Sequence, residues 1–566
     1  MRMAHVGVLL DRKAAERRWQ YGLNSFEYYM EEVLRHAGVP FERLEHIELL
    51  PERSYDIVIA ALAPNDAAAA SLLWSYAEQG GTVIACAGLN AMAARLGAVP
   101  HRSSGPGYAS FVDWRAIPVR YSQAAPWKTE PGNPNLIQET GMLMKDHPAG
   151  AAQGPARQTF RIGKGLLERW AIDICGTIVE LQQGTGPVLD DGEPAPDGTA
   201  AVNEGILKAD DRIAMDWEHD RLLTETGSPY FAYPYADYWR DLFIGHLLQS
   251  VLSLELTLPV VGCWPDGIER VAMISHDSDL NQDIHAESAL EQLGECGIRS
   301  TWCMIEPGYS PGIYDLVKAA GHELAFHYNA LDEQNGRWAE DEFERQLDWL
   351  KQAANLPAVT SNKNHYTRFE GWGELFEWCE KGGVQSDQTR GPSKKGNVGF
   401  IFGTCRPYFP IAWAGENNRM YDVLEIGFLT QDLDLTTQWS DSSVINPFLD
   451  EVARMNGVAH FLFHQVHIHN SASVRAALRR VVEEARSRGF TFWTGEQINR
   501  WERSRRNISL DMAADGTVIV SGEAPEGAVI WIPVPDGYEP SEDEELADQY
   551  GVSCRKESAS GRVKQA

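Results

Sequence analysis

The absences in this sequence narrow its function first. No segment approaches the roughly 20 uncharged apolar residues of a membrane-spanning helix. The run Val6-Gly7-Val8-Leu9-Leu10 is too short for a signal peptide and meets Asp11, Arg12 and Lys13 at once. Bases are in deficit, with 50 Lys and Arg against 80 Asp and Glu and a formal net charge of −30. A phosphate-backbone binder needs the opposite balance, so no nucleic acid partner is expected. An anionic membrane surface is disfavoured for the same reason. Cysteine is sparse, eight in 566 residues with no CxxC pair. That excludes a disulfide scaffold, leaves a single Cys296–Cys303 bridge open, and suits a cytoplasmic chain. Also missing are His-Glu-x-x-His and any cysteine quartet, the metal motifs of short spacing.

What remains is an ordinary globular composition, 43% hydrophobic and 23% charged, long enough for about three to four domains. Val6 to Leu10 reads as a buried strand. Phe26, Tyr29, Met30, Val33, Leu34 and Ala37 then recur at helical spacing until Gly38-Val39-Pro40 ends the helix. Asp56 to Ala60 and Thr82 to Ala85 add two apolar strands, which predicts a small doubly wound domain. Thr159 to Glu168 reads as strand, turn, strand, Gly184 to Ala200 as a long loop, and Tyr230 to Leu254 as a helix.

From Val260 to Trp501 strands and helices alternate, which fits a single barrel. Val271 to Ile274 is a strand; one later helix carries Phe343, Leu347 and Leu350, a second Trp372, Leu375, Phe376 and Cys379, and a third Val474, Leu478, Val481 and Ala485. Ile508 to Ile532 reads as a β-hairpin, and the tail after Glu539 as frayed. The expected units are 1–185, 186–259 as a linker and helical connection, 260–502 as the barrel, and 503–566 as a small β segment with a polar tail.

Nine of the 16 histidines lie between positions 276 and 469. Ser275-His276-Asp277-Ser278-Asp279 follows a strand, and the period of two puts Asp277 and Asp279 on one side. Two carboxylates at the carboxyl end of a barrel strand repel unless a cation or a proton lies between them. A metal would take one as ligand and leave the other as base. His327 ends the apolar run Leu324 to Phe326, whereas His322 starts it and is read as structural. His365 follows an apparent strand from Ala358 to Thr360, and His464 ends the run before His467 and His469, with His467 in reserve. The plain alternative at each place is a capped turn or a packed histidine. One carboxylate and two imidazoles would leave an open position on Zn²⁺ or a similar ion, the machinery of amide or ester hydrolysis.

These segments carry a resemblance. Residues 270–500 resemble the polysaccharide deacetylase family (NodB homology, carbohydrate esterase family 4), whose fold is an irregular (β/α)7 barrel. The family's Thr-Phe-Asp-Asp-Gly falls on Ser275-His276-Asp277-Ser278-Asp279, which makes Asp277 the catalytic base. Ser278 stands where the family has a ligand, and Asp279 replaces it, as in a branch with Thr-His-Asp-Val-Asp. Gly321-His322-Glu323-Leu324-Ala325-Phe326-His327 matches the second motif and implies His327 as a ligand. Leu331 occupies the place of the other histidine, and His365 is inferred to substitute for it. Arg406 in Arg406-Pro407-Tyr408 would orient the base, and His464 in Leu462-Phe463-His464 would be the general acid. Residues 1–180 look like a class I glutamine amidotransferase-like or β-galactosidase trimerisation domain. Cys86 lacks the nucleophile elbow of an amidotransferase, so this domain is read as non-catalytic.

The resemblance implies an α/β chain: a flavodoxin-like doubly wound domain, then the irregular (β/α)7 barrel, then a small β add-on. It implies a metal-dependent deacetylase of an acetylated carbohydrate, with Asp279, His327 and His365 holding a divalent ion. Zn²⁺ comes first, with Co²⁺, Ni²⁺ or Mn²⁺ as alternatives, and a homo-oligomer through the first domain is expected. Asp387 and Arg390 are candidates to touch substrate, Tyr328 and Trp413 to stack on a sugar, and Trp372 and Trp378 to pack a helix. The competing readings are a hydrolase of a non-carbohydrate or cyclic amide, and a carbohydrate-binding protein whose metal site has decayed at Ser278 and Leu331.

Overall fold

The structure, a computed structural model, describes residues 1–559 apart from 113, 203–204, 436–438 and 543. The chain is mixed α/β. Its first half is built on one nine-stranded sheet ordered Glu42–Leu44, Val6–Leu10, Ile57–Leu62, Thr82–Cys86, Gly165–Trp170, Ala152–Ile162, Leu136–Lys145, Gly107–Ser110, Val119–Tyr121. The first five strands are parallel and the rest antiparallel. Val6–Leu10 and Ile57–Leu62 are buried along their whole length, as apolar strands covered on both faces must be. Asp11 caps the helix Arg12–Trp19 by accepting from Ala14 N at 2.9 Å, and Asp66 caps Ala67–Glu78 in the same way.

The second half holds a curled parallel sheet. Its path runs Leu424–Glu425, Ser386–Asp387, Ser361–Asn364, Glu323–Tyr328, Thr301–Met304, Arg270–Asp277, Val458–Leu462, Thr430–Gln431, with Phe490–Phe492 paired to Arg270–Asp277 off that path. Every pairing in it is parallel, so its carboxyl ends collect on one rim. The covering helices bury the stripes that their spacing predicts: Phe343, Leu347 and Leu350 on Glu340–Ala353, and Val474, Leu478, Val481 and Ala485 on Ala472–Ser487. The helix Tyr235–Ser253 runs between the halves and is buried on nearly all sides, and one hydrophobic cluster continues from Val8 through Trp239 to Phe461.

Three expectations shift. The strand before His365 is the wholly polar Ser361–Asn364 rather than Ala358 to Thr360. The tail is paired, not frayed, as far as Ser558: Leu546–Gln549 and Val552–Ser558 form a hairpin, and the second strand lies on Val529–Pro533. The end of that tail, 560–566, lies outside the described residues. All eight cysteines are free, so Cys296 and Cys303 are not bridged.

Candidate metal centre

The parallel rim delivers the site. Asp277 is the last residue of Arg270–Asp277, and His327 is next to last in Glu323–Tyr328. His365 directly follows Ser361–Asn364, and His464 lies two residues beyond Val458–Leu462 as the cap of Gln465–Asn470. Parallel strands place their carboxyl-end residues around one mouth, which is where such sheets carry chemistry. The mouth opens into a cleft of about 760 Å³ lined by Asp277, Asp279, His365, Asp432 and His464 among others.

Asp279, His327 and His365 converge tightly. Asp279 Oδ1 lies 3.4 Å from His327 Nε2 and 3.2 Å from His365 Nδ1, and the two ring nitrogens are 3.3 Å apart. The far nitrogen of each ring is committed. His327 Nδ1 meets the Lys363 carbonyl at 2.8 Å, and His365 Nε2 meets Gln334 Oε1 at 2.9 Å. Both far nitrogens must donate there, which leaves bare lone pairs on the inner ones. With both rings neutral, three acceptors face one point. A tetrahedral ion with bonds of about 2.0–2.1 Å has ligand–ligand edges of about 3.3 Å. The three residues fit such an ion.

Asp277 stands beside this triad, its Oδ2 3.8 Å from His327 Nε2. Its cationic partner is Lys363, whose buried ammonium lies 3.4 Å from Asp277 Oδ1. Lys363 Nζ donates to Ser275 Oγ at 2.6 Å, and Ser275 Oγ meets His460 Nε2 at 2.7 Å. The Phe428 ring lies 4.9 Å from the same ammonium. Burial raises the Asp277 carboxyl, but Lys363 above all lowers it further, so it stays ionised.

His464 is held by Asp432, whose Oδ2 lies 2.5 Å from Nδ1 and whose Oδ1 accepts from His464 N at 2.8 Å. Its Nε2 points back into the site, 4.0 Å from Asp277 and 3.8 Å from Asp279. Burial pulls the imidazole down, but Asp432, Asp279 and Asp277 raise it to about 10. His464 is therefore a cationic donor at neutral pH. His467 also lines the cleft, its ring 5.5 Å from that of His464. Asp432, His464 and His467 come close enough to hold an ion, but Asp432 already binds His464 Nδ1 directly.

Other expected residues lie elsewhere. Arg406 does not face Asp277. It pairs with Asp241 at 2.6 Å, and its Nε donates to the Met455 carbonyl. Its neighbour Cys405 accepts from Val458 N, at the amino end of the strand whose other end delivers His464. Asp387 and Arg390 are buried away from the cleft: Asp387 binds Asn362 and Thr389, and Arg390 packs 4.7 Å over Phe369. Tyr328 is enclosed by Trp338, Phe343 and Trp378, and Trp413 packs on Trp372 and Phe26. Neither can stack on a sugar in this mouth; Tyr366 and Trp439 line it instead. Ser278 Oγ accepts from Ile305 N, and Leu331 is buried. His322 accepts from Ser300 N at the strand's other end. Burial pushes the Cys86 thiol far up, which disfavours a thiolate there. Lys363 and Asp432 were not singled out by the sequence; Lys363 carries one local signal, an ammonium two residues before His365.

No family model matches this chain, and no curated protein does. A solved chain assigned as a polysaccharide deacetylase from Mycobacterium smegmatis is 16% identical over 44% of this chain and 94% of its own, at a TM-score of 0.33. A PuuE allantoinase is 14% identical over 43% and 93%, at 0.32. A GH42 β-galactosidase from G. stearothermophilus is 15% identical over 30% and 28%, at 0.22. The assignment of the site rests on its own geometry.

Proposed function

We propose that this chain is a metal-dependent hydrolase that removes an acetyl group from an N- or O-acetylated carbohydrate. The observation that supports it is the convergence of three potential ligand atoms at 3.2–3.4 Å, with an ionised carboxylate and a cationic imidazole beside them. Asp279, His327 and His365 would hold a divalent ion, which would lower the pKa of a bound water and polarise an acyl oxygen. Two imidazoles and a carboxylate suit Zn²⁺ first, with Co²⁺, Ni²⁺ and Mn²⁺ as the alternatives to load.

The protein's own groups then move the protons. Asp277, kept ionised by Lys363, accepts a proton from the attacking water. His464, kept cationic by Asp432, donates one to the leaving nitrogen or oxygen. The acyl C–N or C–O bond breaks, and acetate leaves beside the amine or alcohol. A homo-oligomer formed through the first domain and a cytoplasmic location belong to the same proposal; no helix of the described residues is long and apolar enough to cross a membrane.

Acetate release from acetylated mono- and oligosaccharides tests the reading. We expect release that a chelator abolishes and added Zn²⁺ restores, and that Asp277→Asn abolishes with the metal retained. Cleavage of simple or cyclic amides with no acetate released from any carbohydrate would overturn the substrate class.

A further inference from the structure

The outer wall of the cleft carries a charge pattern that the proton-moving groups do not use. Lys208, Lys394 and Lys395 all line it, in a chain where acids outnumber bases by 80 to 50. Lys208 precedes the short turn Ala209–Arg212, and Lys394 and Lys395 begin a turn ending at Asn397. Lys394 is paired with Asp211 at 3.1 Å. Lys208 and Lys395 make no ion pair among the described residues, and Lys208 is only 5% exposed.

Two of the carboxylates around Lys208, Asp210 and Asp211, are committed to other donors. Asp210 accepts from Ser393 N, Ser393 Oγ and the Asn397 amide at 2.7–2.9 Å. Asp211 accepts from Lys208 N at 2.7 Å as well as from Lys394. Asp191 Oδ2 accepts from Gly205 N, while its buried Oδ1 has no hydrogen-bond partner among the described residues. Elsewhere on the cleft, Glu306 is neutralised by Arg345 at 2.7 Å and Asp432 by His464. Burial pulls the Lys208 ammonium below its usual range, and Asp210 only partly offsets it.

This wall adjoins the metal centre. Lys208 Nζ lies 5.6 Å from the centre of the Tyr366 ring, and that ring lies 4.7 Å from the ring of the ligand His365. Tyr366 and Thr367 are both left-handed, at φ 58° and 52°, and Tyr366 is half exposed. Non-glycine residues hold that conformation only where surrounding structure enforces it, and such strain collects at ligand sites.

We propose that Lys208 and Lys395 form an anion-binding subsite, so that the acylated substrate carries a carboxylate or phosphate on its leaving-group side, against the Tyr366 ring. What is cleaved rests on the hydrolase reading; what is bound does not.

Binding is measured by calorimetry on the Asp277→Asn protein, with N-acetylglucosamine, its 6-phosphate and N-acetylmuramic acid as probes. At least one anionic probe should bind roughly tenfold more tightly than the neutral one, a difference worth one fully formed charge contact. Which one does so separates phosphate from carboxylate. Lys208→Met and Lys395→Met, made separately, should each shrink that preference, and Lys208→Arg should keep most of it. Equal binding of neutral and anionic probes, no binding of either anionic probe, or an unchanged preference in both folded methionine variants would overturn the subsite. Lysine-dependent anion binding by a protein that releases no acetate would leave the subsite standing and remove the hydrolase reading. Equal acetate release from neutral and anionic probes would do the reverse.

Discussion

Lys363 does for Asp277 what the sequence resemblance assigns to Arg406. Its ammonium is fully buried against Asp277, Ser275 and Phe428. Lys363→Met should lower kcat by roughly a hundredfold or more, the usual worth of a positioned proton-transfer group, with bound metal unchanged by elemental analysis. An unaltered kcat would show that Asp277 needs no counter-charge. Asp432 raises His464 to about 10, so the acid form persists through neutral pH and is lost only as pH rises through that value. Asp432→Asn removes the raising charge, and the alkaline limb of the kcat/KM profile should move down by more than one pH unit. At this scale the sequence was informative where a side chain follows an apolar run. Asp277, Asp279, His327, His365 and His464 all lie in the one cleft or its floor. Arg406 shows the reverse: a matching tripeptide does not say which end of the sheet it occupies.

Ser361–Asn364 explains the largest gap at the scale of elements. A strand of serine, asparagine and lysine has no apolar period to read, yet all four residues are buried. It is stable because each side chain is paired: Ser361 with Glu323 at 2.6 Å, Asn362 with Asp387 at 2.7 Å and Asn364 with the Arg368 carbonyl at 2.8 Å. Tertiary partners, not propensity, make this strand. Asn362→Leu removes one of the donors to Asp387, leaving it only Thr389, and should cost about 1–3 kcal/mol in urea unfolding. A cost near zero would mean the pairing is incidental. The helices on the outside were legible for the opposite reason: they face apolar neighbours on one side and water on the other, so Phe343, Leu347 and Leu350 keep their spacing.

The whole molecule is joined by buried charge as well as by its continuous core. Glu32, from the first half of the chain, meets Arg506 at 2.7 Å, Glu502 meets both Arg505 and Arg506, and Arg505 donates to the His36 carbonyl. All four side chains are buried. Glu32→Ala strands part of that positive charge and should cost roughly 3 kcal/mol. Calorimetry should show the wild-type chain melting in a single transition; an unchanged melting temperature in the variant would mean that the charges do not hold the halves together. The link across the molecule was invisible in the sequence, because Glu32 and Arg506 lie 474 residues apart.

In the proposed function, Asp279, His327 and His365 together hold one catalytic ion. Elemental analysis of the purified protein beside Asp279→Ala and His365→Ala tests it most directly. The geometry predicts about one Zn²⁺ or similar ion per chain, lost in both variants. No bound metal after incubation with excess Zn²⁺, Co²⁺, Ni²⁺ or Mn²⁺, or full occupancy in both variants, would contradict it.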